Sequence, residues 1–63
     1  MNWQQLREAL EEEGLEFIEI FHIGQALSGE HVKSVEIYSD NSNYLGWEVY
    51  KDEDGNFIME KVP

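Results

Sequence analysis

Fourteen carboxylates stand against four basic side chains in this 63-residue chain, for a formal charge of -10. A folded body of this mass has about 4,200 Å² of accessible surface, or roughly one net negative charge per 420 Å². Solubility asks for a net charge of only about 2–8 in magnitude. Self-repulsion at this density opposes compaction, so the charge is either tolerated or serves a partner. The core available to resist it is thin, because a chain this short buries only about 60% of the surface its unfolded form exposes. Hydrophobic residues nevertheless make up 41% and aromatics 13%, too many for a disordered polyanion. One small acidic domain over residues 1–63 is expected.

The same arithmetic excludes several classes. With no cysteine there is no disulfide framework, zinc ribbon or thiol chemistry. Met1 to Gly14 carries Arg7 and glutamates and has no apolar h-region, which excludes a signal peptide there. Leu15 to Ile23, interrupted by Glu16 and Glu19, falls far short of the ~20 residues of a membrane span. Anionic lipid and phosphate backbones repel such a chain, so neither a membrane nor direct nucleic-acid binding is expected. The expected location is cytoplasmic.

Local signals divide the chain into five elements. Asn2 can cap a helix over about 2–13, with Gln5 placed to complete a capping box. Trp3, Leu6, Ala9 and Leu10 give that helix one apolar stripe. Gly14 and Leu15 suit a Schellman ending. Glu11, Glu12 and Glu13 crowd the last turn, where the helix dipole favours cations. After Gly14 the β-branched and aromatic run at 15–23 predicts a first strand, although its alternation is broken by Glu16 and Glu19. Gly24 to Glu30 predicts a loop, with room for one helical turn. Further strands are expected at about 31–39, 43–51 and 56–62, separated by turns at Asp40–Asn43 and Asp52–Gly55.

The expected fold is therefore α+β: an N-terminal helix on one face of a four-stranded antiparallel meander, α-β-β-β-β, in two layers. The expected core is Trp3, Leu6, Leu10, Phe17, Phe21, Val35, Ile37, Leu45, Trp47 and Val49. One helix of about twelve residues spans only ~18 Å and covers one face. The other face, expected to gather Ile18, Ile20, Val32, Tyr38, Tyr44 and Tyr50, is left bare. The last hairpin has two registers open to it: Val49 pairs with Ile58 or with Met59, which decides whether Phe57 joins the tyrosine face.

Catalytic chemistry finds little support. His22, His31 and the scattered serines form no nucleophile–base–orienter pattern. Asp52-x-Asp54-Gly55-Asn56 fails as a calcium loop, because either alignment misplaces the glycine or the terminal glutamate. Two histidines without motif spacing do not make a zinc site. No enzyme activity, metal or cofactor is expected.

Charge, size and the expected helix-then-antiparallel-sheet plan together resemble the phage-encoded DNA-mimic inhibitors as a class. Those small acidic proteins occupy the nucleic-acid cleft of a host or defence enzyme. The likeness rests on composition and coarse architecture, without a diagnostic motif, and transfers no functional residue. The expected function is a non-enzymatic protein-binding module, including the DNA-mimic type, that docks on a basic site such as that of a nucleic-acid-binding protein. Glu8, Glu11, Glu12, Glu13, Asp52, Glu53 and Asp54 would supply charge. Tyr38, Tyr44 and Tyr50 would supply the aromatic anchors that interfaces favour. The alternative is a homo-oligomeric module, in the simplest case a homodimer, that covers its bare aromatic sheet face.

Overall fold

The computed structural model describes residues 1–29, 32–38 and 44–63. Its elements are two helices, α1 (Trp3–Glu12) and α2 (Phe17–Leu27), followed by three strands, β1 (Val35–Tyr38), β2 (Tyr44–Lys51) and β3 (Phe57–Lys61). The strands form one antiparallel sheet in the order β1-β2-β3. Both helices lie on the same face, α1 against β3 and α2 against β1.

The first helix begins and ends as its sequence demands. Gln5 N–H donates to Asn2 Oδ1 at 2.8 Å and Asn2 N–H to Gln5 Oε1 at 2.9 Å, closing the capping box. Gly14 takes a φ of +92°. Leu15 N–H then reaches back to Leu10 O and Gly14 N–H to Glu11 O, the two bonds of a Schellman ending. Leu15 is buried just beyond it.

The four-stranded meander is overturned by α2. The segment read as a strand at 15–23 is helical from Phe17, and the helix runs on through Gly24, which was read as loop, to Leu27. Ile20, Ile23 and Leu27 recur at helical spacing and pack into the core. Glu19 accepts from Glu16 N–H at 2.8 Å, so the two residues that break the strand alternation serve the helix start. β-propensity is a weak preference that packing overrides. Here one helical face buries Ile20 and Leu27 and packs Ile23 against the core, whereas a strand would have divided the same residues between two faces.

That change redraws the core. Leu6, Leu10, Leu15, Ile20, Leu27, Ile37 and Val49 are buried, with Trp3, Ile23, Val35, Leu45, Trp47, Phe57 and Met59 packed around them. Phe17 and Phe21, expected inside, are 78% and 48% exposed. Ile18 and Ile20, expected on the bare sheet face, lie on α2, where Ile18 is exposed and Ile20 buried.

The sheet register decides what shares the uncovered face. Val35 pairs with Val49 and Glu36 with Glu48, while Val49 pairs with Met59 and Glu48 with Glu60. Phe57 therefore points with Val49 toward the helices, and Ile58 joins the opposite face. Between the pairs Glu36–Glu48 and Tyr38–Tyr44 the register shifts, because β1 advances two residues while β2 advances four. Gly46, at a φ of +81°, lies inside that irregular stretch of β2. A residue with a side chain would be strained there. β1 is shorter than the strand expected at 31–39, since Val32 to Ser34 lie outside it. The turn expected at Asp40–Asn43 and the residue His31 fall outside the described residues.

Candidate functional site

The uncovered sheet face carries a row of carboxylates. Glu48 of β2 is the direct partner of Glu36 on β1 and of Glu60 on β3. Paired strands are ~4.8 Å apart, so three glutamates cross the sheet in about 10 Å. Like charges set directly opposite one another destabilise a sheet. Among the described residues no strand cation lies on this face: Lys51 and Lys61 occupy the inward phase of their strands, packed over Phe57 and Trp47 at 5.4 and 4.9 Å from the ring centroids.

Tyrosines flank the row. Tyr38 and Tyr44 stand at one end with ring centroids 5.3 Å apart, 45% and 43% exposed. Tyr50, paired with Ile58, stands on the other side of Glu48. Tyr38 Oη donates to Glu36 Oε2 at 3.0 Å, and Tyr50 Oη donates to Glu60 Oε1 at 2.7 Å. These bonds hold the two outer carboxylates in place, while Glu48 between them has no hydrogen-bond partner among the described residues.

All three phenols are pushed above the ordinary tyrosine value. The hydrogen bond to Glu36 is the main cause at Tyr38, desolvation by its neighbours at Tyr44, and the hydrogen bond to Glu60 at Tyr50; the surrounding carboxylate charges add to each. Each bond needs the neutral phenol, so the folded chain holds these protons more tightly than the unfolded chain. That contribution to stability is fully present below pH 10.0, the unperturbed value, and is lost as pH rises through the raised folded values. Unfolding midpoints should therefore fall as pH climbs above 10, and Tyr50→Phe should flatten the fall. An ultraviolet titration of the phenols alongside the melts checks both. An alkaline limb identical in Tyr50→Phe would remove the Tyr50–Glu60 bond from the picture.

The residues singled out in the sequence occupy several places. Tyr38, Tyr44 and Tyr50 share the open sheet face. Glu8, Glu11, Glu12 and Glu13 are exposed on or just past α1, away from that face. Glu11 lies 4.0 Å from Arg7, an exposed pair of little energetic weight. Glu12 and Glu13 edge a cleft of about 290 Å³ with Met1, Ala9, Trp47 and Met59. Asp52 is taken up by the hairpin, accepting from Asp54 N–H and Asn56 N–H at 2.9 Å, with Glu53 and Asp54 exposed on the turn. The carboxylates that do meet the tyrosines are Glu36, Glu48 and Glu60, none of them among the expected site residues, although Glu48 alternates onto one face with Tyr44 and Tyr50. Their outward phase within the alternating strands was visible. Their alignment was not, because it depends on the Val49–Met59 register and on the irregular pairing beside Gly46.

Among the described residues, no three His, Asp or Glu side chains converge as metal ligands. His22 lies on α2, edge-on to Phe21. No described helix is long and apolar enough to cross a membrane. Compared with known proteins, the chain matches no family model, no curated protein and no solved structure.

Proposed function

We propose that this is a non-enzymatic binding module whose uncovered sheet face docks on a basic surface of another protein. The observation that carries the reading is the cross-strand row Glu36–Glu48–Glu60 set among Tyr38, Tyr44 and Tyr50. A like-charge row is unfavourable within the isolated sheet and favourable once cations lie over it. The tyrosines add apolar area at low entropic cost and phenol faces on which a cation can rest. Carboxylates ~4.8 Å apart on a rigid sheet form a fixed anionic strip, which is what a cleft that normally holds a phosphate backbone would accept. The DNA-mimic version of the reading rests on that correspondence.

Self-association through this same face is the weaker reading. Stacking two copies face to face would bring six glutamates into one contact, with no cation of either sheet turned toward it.

Salt separates a charge-led dock from a hydrophobic one. Binding of a capped oligo-arginine peptide, followed by amide shifts, should weaken steeply as salt rises, because exposed charges more than about 8 Å apart are largely screened at physiological ionic strength. The shifted amides should belong to Glu36, Tyr38, Tyr44, Glu48, Tyr50 and Glu60. Affinity that is flat across the salt series, or shifts centred on α1, would overturn the reading.

A further inference from the structure

A different surface points to a different contact. Helix α2 is apolar over most of its circumference, a pattern that normally belongs to a helix covered on all sides. Its inward face is covered by the core, but Phe17, Ile18 and Phe21 remain exposed. Phe17, Phe21, Gly24 and Ser28 follow one another at spacings of four, three and four, which places them along a single flank. The two large residues stand at the N-terminal end of that flank and the two small ones at the other end.

The small end opens into a groove of about 430 Å³, lined by Trp3, Phe21, Gly24, Ser28, Lys51 and Phe57 among others. Gly24 shapes it, since a Cβ there would come within 2.8 Å of the Trp3 ring. Among the described residues no carboxylate lines this groove, and the one charged side chain is Lys51. In a chain with a net charge of -10, that makes this groove a place where a second copy meets little direct like-charge repulsion.

We propose that the flank is a homodimer contact in which two α2 helices pack antiparallel about a two-fold axis. A two-fold contact must be self-complementary, and this stripe is. Pairing about the midpoint between Phe21 and Gly24 sets each Phe21 opposite the partner's Gly24 and each Phe17 opposite the partner's Ser28. Each Phe17 meets a small residue at the mouth of the other copy's groove, and each Phe21 meets the edge of the Trp3 ring that packs on the partner's Gly24. Phe17 is 78% and Phe21 48% exposed, so the four rings of a dimer hold the accessible area of about two and a half whole side chains, roughly 400–600 Å² at 150–250 Å² each. That is below the ~1,000 Å² of a specific stable interface, so the expected dimer is weak and transient. The two acidic sheet faces stay outside the contact, so the dimer does not depend on the function proposed for them.

Sedimentation velocity over a concentration and salt series tests this directly. The chain should pass from monomer to dimer toward millimolar concentration, and added salt should strengthen the dimer by screening two like-charged bodies, the opposite of its effect on a basic partner. Phe17→Ser should remain monomeric throughout, and its unfolding midpoint at low concentration should match the parent's because Phe17 is already 78% exposed. Amide shifts on dilution should fall on α2, Trp3 and Phe57. A chain that stays monomeric near millimolar concentration in high salt would overturn the proposal. So would a dimer that Phe17→Ser leaves intact, or one whose shifts lie on the outer sheet face.

Discussion

Leu10→Ala is expected to lower the unfolding free energy by about 3 kcal/mol, within the 2–5 kcal/mol range of Leu→Ala changes at buried sites. Leu10 is fully buried and lies at the centre of the cluster that joins both helices to the sheet. Its backbone carbonyl also receives Leu15 N–H in the turn between the helices, so the residue lies where α1, the turn and α2 meet. At about 0.05–0.15 kcal/mol per residue, a domain of 63 residues has roughly 3–9 kcal/mol of total stability. The substitution should therefore bring the chain close to its folding threshold at ambient temperature. A urea titration should show a much lower midpoint with the slope unchanged, since the surface exposed on unfolding is nearly the same. A loss below about 1 kcal/mol, the scale of an ordinary surface change, would mean that this cluster is not the core that organises the fold.

Glu48→Lys should move stability and binding in opposite directions. In the native sheet Glu48 faces a glutamate on either side, and lysine would turn both like-charge pairs into favourable ones. Cross-strand charge pairs are worth about 0.2–1 kcal/mol each, and solvent screening keeps exposed pairs toward the lower end of that range. A gain of about 0.5–1 kcal/mol in unfolding free energy is expected. The same change places a cation in the middle of the anionic strip, and affinity for an oligo-arginine peptide should fall by about tenfold or more. A residue whose replacement stabilises the fold while weakening its contacts is one kept for the contact. If Glu48→Lys destabilises the chain, the carboxylate row is not under strain and the case for a docking face weakens accordingly.

How far the sequence could be read differs by element. The ends of α1 were legible because capping is local: Asn2, Gln5, Gly14 and Leu15 carry their geometry in their side chains and φ preferences. The last two strands and the Asp52–Gly55 turn were legible for the same reason. The segment after Leu15 was not. Its β-branched and aromatic residues satisfy a strand by propensity and a helix by spacing, and only the packing of Ile20, Ile23 and Leu27 against the rest of the molecule decides between them. Misassigning it put Phe17 and Phe21 in the core and concealed the apolar flank on α2.

The candidate site divides in a similar way. Tyr38, Tyr44 and Tyr50 were legible as neighbours on the uncovered face because alternation within each strand is a local property. The glutamates that complete the face depend on registers between strands, and a shift of one residue would have turned Glu60 toward the helices. The acidic runs at Glu11–Glu13 and Asp52–Asp54 drew attention because they are contiguous in sequence. In the fold the first surrounds a helix end and the second belongs to a turn, with Asp52 already engaged by backbone N–H groups.

A charge-matched comparison tests the docking face most directly. Glu48→Lys and Glu12→Lys change the net charge equally, one on the sheet face and the other on α1. The affinity of each for a capped oligo-arginine peptide should be measured against the parent at a single ionic strength. Binding is expected to collapse in Glu48→Lys and to change by no more than about twofold in Glu12→Lys, the residual long-range effect of net charge. Equal losses in the two variants would mean that the peptide senses only the total charge, and would contradict a dock built on the Glu36–Glu48–Glu60 row.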